Sequence, residues 1–360
     1  MHATRMERAR ARMGELGVDA LCVSVGPDLP YLTGYAALPL ERLTMLVVPR
    51  HEEAVLVVPE LEAPRVVDRP EVFTVRPWSE TEDPVQLVAD RVRGAGVVAI
   101  GDQTWARFVL ALEASLPEAQ FIPANRVTAP LRVVKDADEI AALQRAASAV
   151  DEIAASLRER PFGGRSERDV AREVVDRMLD QGHERANFAI VASGPNGASP
   201  HHEPADRVIA AGDVVVCDFG GTMDGYCSDI TRMYAVGVPA AEVRDDYEIL
   251  AEAQEAAVRS ATVGTRCSDV DAVARRALDE AGLGEFFVHR TGHGIGMEAH
   301  EDPYLVADNA RPLRAGHVFS IEPGVYLPGR FGLRLEDIVV ATEDGPRRLN
   351  AAPRDLAIVG

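Results

Sequence analysis

Cysteine is scarce in this chain, basic charge is outnumbered, and long apolar runs are missing. Only four of 360 residues are cysteines, Cys22, Cys217, Cys227 and Cys267, and their spacing fits neither a disulfide framework nor a zinc site. They read as reduced, mostly buried thiols, which leads to an expectation of a cytoplasmic protein. No window reaches the roughly 18 apolar residues that would span a bilayer. The opening "MHATRMERARARMGELGVDA" has arginines but no apolar centre and no small-residue cleavage site, so it reads as an amphipathic helix and not a signal peptide. Fifty-seven acidic against 38 basic side chains leave a net charge of −19. That surplus repels phosphates, so neither a nucleic-acid nor a membrane partner is expected. Apolar material is ample: a hydrophobic fraction of 47% can fill the cores of two ordinary domains.

Short β-rich runs and helical stretches alternate over the first part of the chain. "ALCVSVG", "TMLVVPR", "AVLVVPE", "FTVRPW" and "VVAIGD" read as strands, "DPVQLVADRVRG" and "TWARFVLALEASLP" as helices. This is an α/β domain without a catalytic motif. The texture changes after "IPANRVTAPLRVVKDADE", and Lys135 to Arg160 reads as an alanine-rich helix stopped by Pro161, so the boundary is set at residues 130/131. The second part repeats itself. "GRSERDVAREVVDRMLDQG" (164–182) resembles "GTRCSDVDAVARRALDEAG" (264–282) at an offset of 100 residues. Each copy follows an alanine-rich helix and precedes a β-rich region, which predicts a pseudo-twofold α+β domain with its site between the halves.

Each half carries a hairpin with two acids. In "GDVVVCDFGGTMDGYCSDITRMYAVG" (212–237), a turn centred between Met223 and Asp224 sets Asp218 opposite Asp229. Cross-strand partners hold their Cβ atoms about 5 Å apart. In "HVFSIEPGVYLPGRFGLRLEDIVVA" (317–341), a turn centred on Gly329 sets Glu322 opposite Glu336, with Arg334 on the face of Glu336. In each hairpin one acid interrupts an apolar run, where an unpaired charge costs several kcal/mol. Facing carboxylates of this kind call for a cation between them.

The nine histidines are unevenly spread. His289, His293 and His300 fall within "FVHRTGHGIGMEAHE", and His201 and His202 lie 17 and 16 residues before Asp218. Glycines on both sides of His293 let the backbone approach a site closely, which makes His293 the choice for a nitrogen ligand. Four carboxylates and one imidazole suit a pair of divalent ions, balanced by a bridging hydroxide, and favour manganese, cobalt or iron over thiolate-selected metals. Two such ions about 3.5–4 Å apart acidify a bridging water and polarise a carbonyl, so metal-assisted hydrolysis is the expected reaction.

"CDFGGTMDGYCSDITR", "HRTGHGIGMEAHE", "SIEPGVY" and "RLEDIVV" together resemble the pita-bread metallopeptidases, which include Xaa-Pro dipeptidase (prolidase), aminopeptidase P and methionine aminopeptidase. The likeness covers residues 130–360, and the first domain, with "PDLPYLTGY", resembles the creatinase-type domain of the proline-specific branch. The resemblance implies a creatinase-like N-terminal domain (1–130) and a pita-bread catalytic domain (131–360). It implies metal ligation by Asp218, Asp229, His293, Glu322 and Glu336, with Asp229 and Glu336 bridging two ions, Asp218 on one ion and His293 with Glu322 on the other. Manganese is the expectation, with cobalt, iron and zinc as alternatives.

His201, His289 and His300 match the family's histidines on the substrate side, and Arg334 matches an arginine of the proline-specific branch; His202 is given no role. The implied reaction is attack by a metal-bridging hydroxide on the carbonyl before proline. His300 and one metal would stabilise the oxyanion, and Glu322 would carry the proton to the leaving nitrogen. Xaa-Pro dipeptidase is the expected activity, aminopeptidase P the alternative. A creatinase-like hydrolase and a non-enzymatic binding protein are disfavoured because all five ligand positions are filled. A dipeptidase must also hold its substrate's terminal carboxylate, for which Arg42 in "AALPLERLT" is a candidate. The branch further implies a homodimer.

Overall fold

A computed structural model describes residues 1–360 as two units, Met1–Arg132 and Val133–Gly360. In the first unit the apolar runs form β1 (Ala20–Val23), β2 (Met45–Pro49), β3 (Val55–Pro59), β4 (Thr74–Trp78) and β5 (Val97–Ile100). A sixth strand, β6 (Gln120–Pro123), completes a sheet of order β4-β3-β2-β1-β5-β6. The β1–β2 and β2–β3 pairs are antiparallel and the outer pairs parallel. The sequence reading leaves out β6, because an edge strand exposed at both of its ends shows no apolar run. The helices are α1 (His2–Leu16), α2 (Asp28–Thr33), α3 (Pro84–Arg91), α4 (Ala106–Ser115) and α5 (Asn125–Arg132). Asp83 caps α3 by accepting from the N–H groups of Val85 and Gln86, and Pro84 occupies the first turn. Pro30 in α2 and Pro130 in α5 hide those two helices from a pattern reading.

The second unit contains α6 (Ala137–Leu157), α7 (Glu167–Asp180), α8 (Ala241–Ser260) and α9 (Cys267–Glu280). A capping box of Asp136 and Glu139 starts α6 two residues inside the expected helix. Its strands are β7 (Arg185–Ser193), β8 (Val214–Met223), β9 (Tyr226–Cys227), β10 (Ile230–Val236), β11 (Gly292–Gly294), β12 (Glu301–Leu305), β13 (Val318–Ile321), β14 (Gly324–Leu327), β15 (Phe331–Arg334), β16 (Asp337–Thr342), β17 (Gly345–Arg348) and β18 (Ala357–Val359). They form one sheet ordered β18-β10-β8-β7, another ordered β12-β11-β13-β16-β17, and a β14-β15 ribbon.

The duplication is structural. α7 and α9 begin and end 100 residues apart. The N–H of Gly164 donates to Ile209 as that of Gly264 donates to Leu313, both at 2.9 Å. Gly182 and Gly282 leave the two helices with φ of 94° and 76°, a region that glycine enters without strain. The N–H of Gly212 donates to Val236, and that of Gly316 to Ala341. This is the pseudo-twofold α+β architecture the repeat predicts.

β8 is buried on both faces. Val215, Cys217 and Phe219 pack with α6 and α7, while Val214 and Val216 pack with α8, α9 and the second half's strands. Side chains alternate along a strand, so Asp218 shares the face of Val214 and Val216, toward the second half. No helix is long and apolar enough to cross a membrane.

Candidate metal centre

The first hairpin turns at Asp224 and Gly225, whose φ of 51° and 76° are those of a two-residue Asp-Gly turn. Thr222 pairs with Cys227 and Met223 with Tyr226, so the register differs by two residues from the one expected. Asp218 therefore lies opposite Thr231, and Asp229 is its diagonal neighbour on the same face. The cause is the turn: only Asp224-Gly225 can take left-handed angles at both central positions. The second hairpin turns about Gly329 as expected. Ile321 pairs with Asp337 and Gly324 with Arg334, so Glu322 and Glu336 face each other where the ladder opens. There the strand edges bond elsewhere: Glu322 N–H donates to Thr291 at 2.8 Å and Glu336 N–H to Thr231 at 3.4 Å.

His293 comes from β11, which is pinched between β12 and β13. A Cβ at Gly292 would overlap the carbonyl oxygen of Ser320, and one at Gly294 that of Asp302. These glycines are needed for close approach of backbones, since neither has a positive φ. Ser320 Oγ accepts from the His293 N–H at 3.0 Å and donates to Glu322 at 3.1 Å, so one hydroxyl ties two of the candidate ligands. His293 Nε2 lies 3.1 Å from Glu322 and 3.8 Å from Asp229.

All five candidate ligands border one cavity of about 550 Å³, together with His201, His289, Arg290, His300, Phe188, Ile190 and Ala299. Arg334 is buried beside it. Its Nη2 donates to Asp218 at 2.5 Å, its Nη1 to Tyr326 Oη at 2.7 Å and to Pro200 O at 3.2 Å. Thr231 Oγ1 receives from Arg334 Nε at 3.2 Å and donates to Glu336 at 2.8 Å. His289 Nδ1 donates to Arg290 O at 2.7 Å, and its Nε2 faces Tyr326 Oη at 2.8 Å. Since Arg334 already donates to that phenol oxygen, Tyr326 donates its proton to His289, and both imidazole nitrogens are engaged.

His300 packs on His293 with ring centres 4.0 Å apart, and Arg290 Nη2 approaches its Nδ1 at 3.4 Å. His202 lies apart from the ligands, bonded at 2.8 Å to the buried Glu167. Arg42, in the first unit, is engaged by Glu41 and, at 2.7 Å, by Glu80. Tyr326, Thr231 and Ser320 were not singled out from sequence. Tyr326 was within reach of a strand-parity argument, being two alternations from Glu322, and Gly324 and Gly332 leave room for its ring.

Electrostatics set the candidate ligands apart. Burial, and then repulsion from neighbouring carboxylates, push Asp229 and Glu336 well above the usual carboxylate range. Burial raises Asp218 too, against the pull of Arg334. Burial also acts to raise Glu322, but the hydrogen bond to His293 and nearby positive groups prevail and bring it down to about 2. His300 is open to the cavity, yet surrounding protein, His293 and Arg290 lower it to about 4. Two buried oxygens, Asp218 Oδ1 and Glu336 Oε1, accept no hydrogen bond. Ligand atoms of Asp229, His293 and Glu336 lie within 4.8 Å of one another. Orphaned carboxylate oxygens beside a nitrogen donor, in a site where acids repel, fit a divalent cation.

Residues 140–343 match the metallopeptidase family M24, and residues 5–134 match the creatinase/prolidase N-terminal domain. The chain belongs to metallopeptidase family M24. It is 42% identical to the probable dipeptidase PepE of Mycobacterium tuberculosis over 100% of this chain and 97% of that one. It is 34% identical to an Xaa-Pro dipeptidase of Lactobacillus helveticus, covering 95% of each. Among solved structures, a prolidase from Thermococcus sibiricus superposes with a TM-score of 0.94 at 37% identity, covering 99% of this chain and 98% of that one. The protein is thus a metallopeptidase, and M24 membership implies divalent metal ions, which the buried acids fit.

Proposed function

We propose that this M24 enzyme hydrolyses the Xaa–Pro bond of dipeptides with two divalent ions, manganese by choice. Asp218, Asp229, His293, Glu322 and Glu336 would hold them, Asp229 and Glu336 shared between the two. The observation that carries the reading is the convergence of these five side chains on one cavity, with unpartnered oxygens on Asp218 and Glu336. Likeness to Xaa-Pro dipeptidases over nearly the whole chain supports the choice of substrate. The proposal extends to a homodimer acting in the cytoplasm.

Bound ions of this kind supply an acidified water and polarise the scissile carbonyl. The chain's own groups would do the rest. Glu322 faces the cavity and is ionised at neutral pH, so it can take a proton from the attacking water and pass it to the leaving imino nitrogen. His300 is neutral at pH 7, and with Arg290 against Nδ1 its Nε2–H can donate to the carbonyl oxygen as negative charge develops there. Arg334 and Tyr326 fix Asp218 and His289 in place, His289 orienting substrate as a wall of the cavity and His201 lining another side. Phe188, Ile190 and Ala299 offer an apolar surface for the proline ring or the residue before it.

The test is product analysis with manganese-loaded protein given Ala-Pro and Ala-Pro-Ala side by side. Release of alanine and proline from Ala-Pro, with the tripeptide left intact, is the expected result. Comparable cleavage of the tripeptide would replace the dipeptidase reading with aminopeptidase P. If neither is cut, Xaa–Pro hydrolysis is the wrong reaction.

A further inference from the structure

We propose that Glu167 and Asp271 are a matched pair of positioning residues, one in each half, each fixing the segment that presents the site's histidines. The inference rests on the functional reading of His201, His289 and His293 given above. Both carboxylates are fully buried, on α7 and α9. A buried charge is tolerated only where hydrogen bonds replace its water, and both are richly supplied.

Glu167 receives the N–H and the hydroxyl of Ser193, each at 2.7 Å. It also receives Asn196 Nδ2 at 3.1 Å, His202 Nε2 at 2.8 Å and the Ala205 N–H at 3.1 Å. One side chain thereby ties the loop from the end of β7 to Ala205 at its start, middle and end. His201 is carried on that loop, and with His202 drawn back to Glu167 it is His201 that borders the cavity.

Asp271 makes the corresponding bonds on the other side. It receives the N–H and hydroxyl of Thr291 at 3.1 and 2.8 Å. Thr291 lies midway between His289 and His293, and its carbonyl accepts from the Glu322 N–H. Arg275 pairs with Asp271 at 2.7 Å and donates to the carbonyl of His289 at 2.5 Å. Asp271 therefore steadies the backbone at two of the candidate metal ligands, whereas Glu167 touches none.

The two acids are not equivalent in the repeat. They lie 104 residues apart, one helical turn beyond the 100-residue offset of their helices. The same arrangement, a buried carboxylate gripping both N–H and hydroxyl of a strand-end Ser or Thr, is thus reached from different positions. Common descent of the helices alone does not produce that, and a shared requirement of the site does.

The asymmetry gives the test. Metal-free protein is titrated with Mn²⁺ in a calorimeter, and kcat and KM for Ala-Pro are measured alongside melting temperature, for Asp271→Asn, Glu167→Gln and His202→Ala. Asp271→Asn should weaken Mn²⁺ binding by about tenfold or more, the scale seen when partners of metal ligands are removed. Glu167→Gln and His202→Ala should leave Mn²⁺ affinity unchanged and lower kcat by roughly tenfold with little change in KM. His202→Ala keeps the buried carboxylate and its other donors, so it reports even if Glu167→Gln does not fold; Thr291→Ala serves likewise for Asp271→Asn. If the variants lower only the melting temperature, or if both halves affect metal affinity alike, the inference is overturned. Wild-type protein that binds Mn²⁺ without cutting Ala-Pro would sink the substrate assignment, and the Mn²⁺ affinities would still decide the role of Asp271.

Discussion

At the scale of single residues, the site is built from groups that the fold alone would reject. Asp229 is buried among other acids, and its pKa is raised by burial and then by Glu336 and Asp218. In metal-free protein the folded state therefore holds its proton more tightly than the unfolded chain does. That penalty is absent at acid pH and grows as pH rises. Asp229→Asn should raise the melting temperature of metal-free protein at pH 8, by roughly 1–3 kcal/mol of stability, while lowering activity at least about 100-fold. A fall in metal-free stability would mean that Asp229 is satisfied without an ion. The five candidate ligands were legible in the sequence because Asp218 and Glu322 break apolar runs and His293 sits among glycines. Thr231 and Ser320 were not, since a hydroxyl in a strand betrays nothing until its partner is known, whereas Tyr326 shares the strand parity of Glu322 and could have been found. Glu167 and Asp271 stayed hidden for another reason: each is one more acid on an amphipathic helix, and only folding buries it.

At the scale of elements, β11 shows how tightly the site is framed. Its two glycines leave no space for a methyl group, because the carbonyls of Ser320 and Asp302 lie where Cβ atoms would be. Gly292→Ala should cost more than about 3 kcal/mol, since the blocking atom is backbone and cannot rotate away. The same change at Gly329, with open space around it and a φ of 71°, should cost only about 1 kcal/mol. Chemical denaturation of the two variants measures the contrast, and equal losses would refute it. Sequence patterns revealed the repeated helices and both hairpins, but not the strands β11 and β12 of this frame. The first hairpin's register slipped by two residues because the turn chemistry of Asp224-Gly225 outweighs a centre guessed from flanking runs. A shift of two preserves the face, so Asp218 and Asp229 still meet. In the first unit the elements that escaped, β6, α2 and α5, are short and carry an exposed edge or a proline; in the second, β7, β11, β12, β17 and β18 escaped as well.

At the scale of the whole molecule, two sets of titrating groups pull stability in opposite directions. His317 is buried beside Lys135, and its Nδ1 accepts the Arg314 N–H. Burial first, then the Lys135 and Arg314 charges, lower its pKa to about 4. Burial likewise lowers His183, packed against Met178 and Ser228. Both are neutral in the fold, so their contribution is complete above the unfolded value near 6.5 and is lost as pH falls toward the folded one. Three acids of the site behave in the reverse sense, Glu322 being lowered and not raised. With metal absent, Asp218, Asp229 and Glu336 are raised, and their penalty sets in as pH rises. On the proposed ligation, a bound ion's charge would replace the missing counter-charge and remove that penalty. The histidines act on both forms and cancel in the difference between them, whereas the acids act on the metal-free form alone. Melting temperatures of manganese-loaded and chelated protein, measured at equal protein concentration from pH 5 to 8, should therefore diverge as pH rises. At pH 8 the metal-loaded form should be more stable by at least about 3 kcal/mol when free metal exceeds its dissociation constant a hundredfold or more. Parallel curves would mean that the buried acids are not the metal site, and the ions would have to be sought elsewhere in the chain.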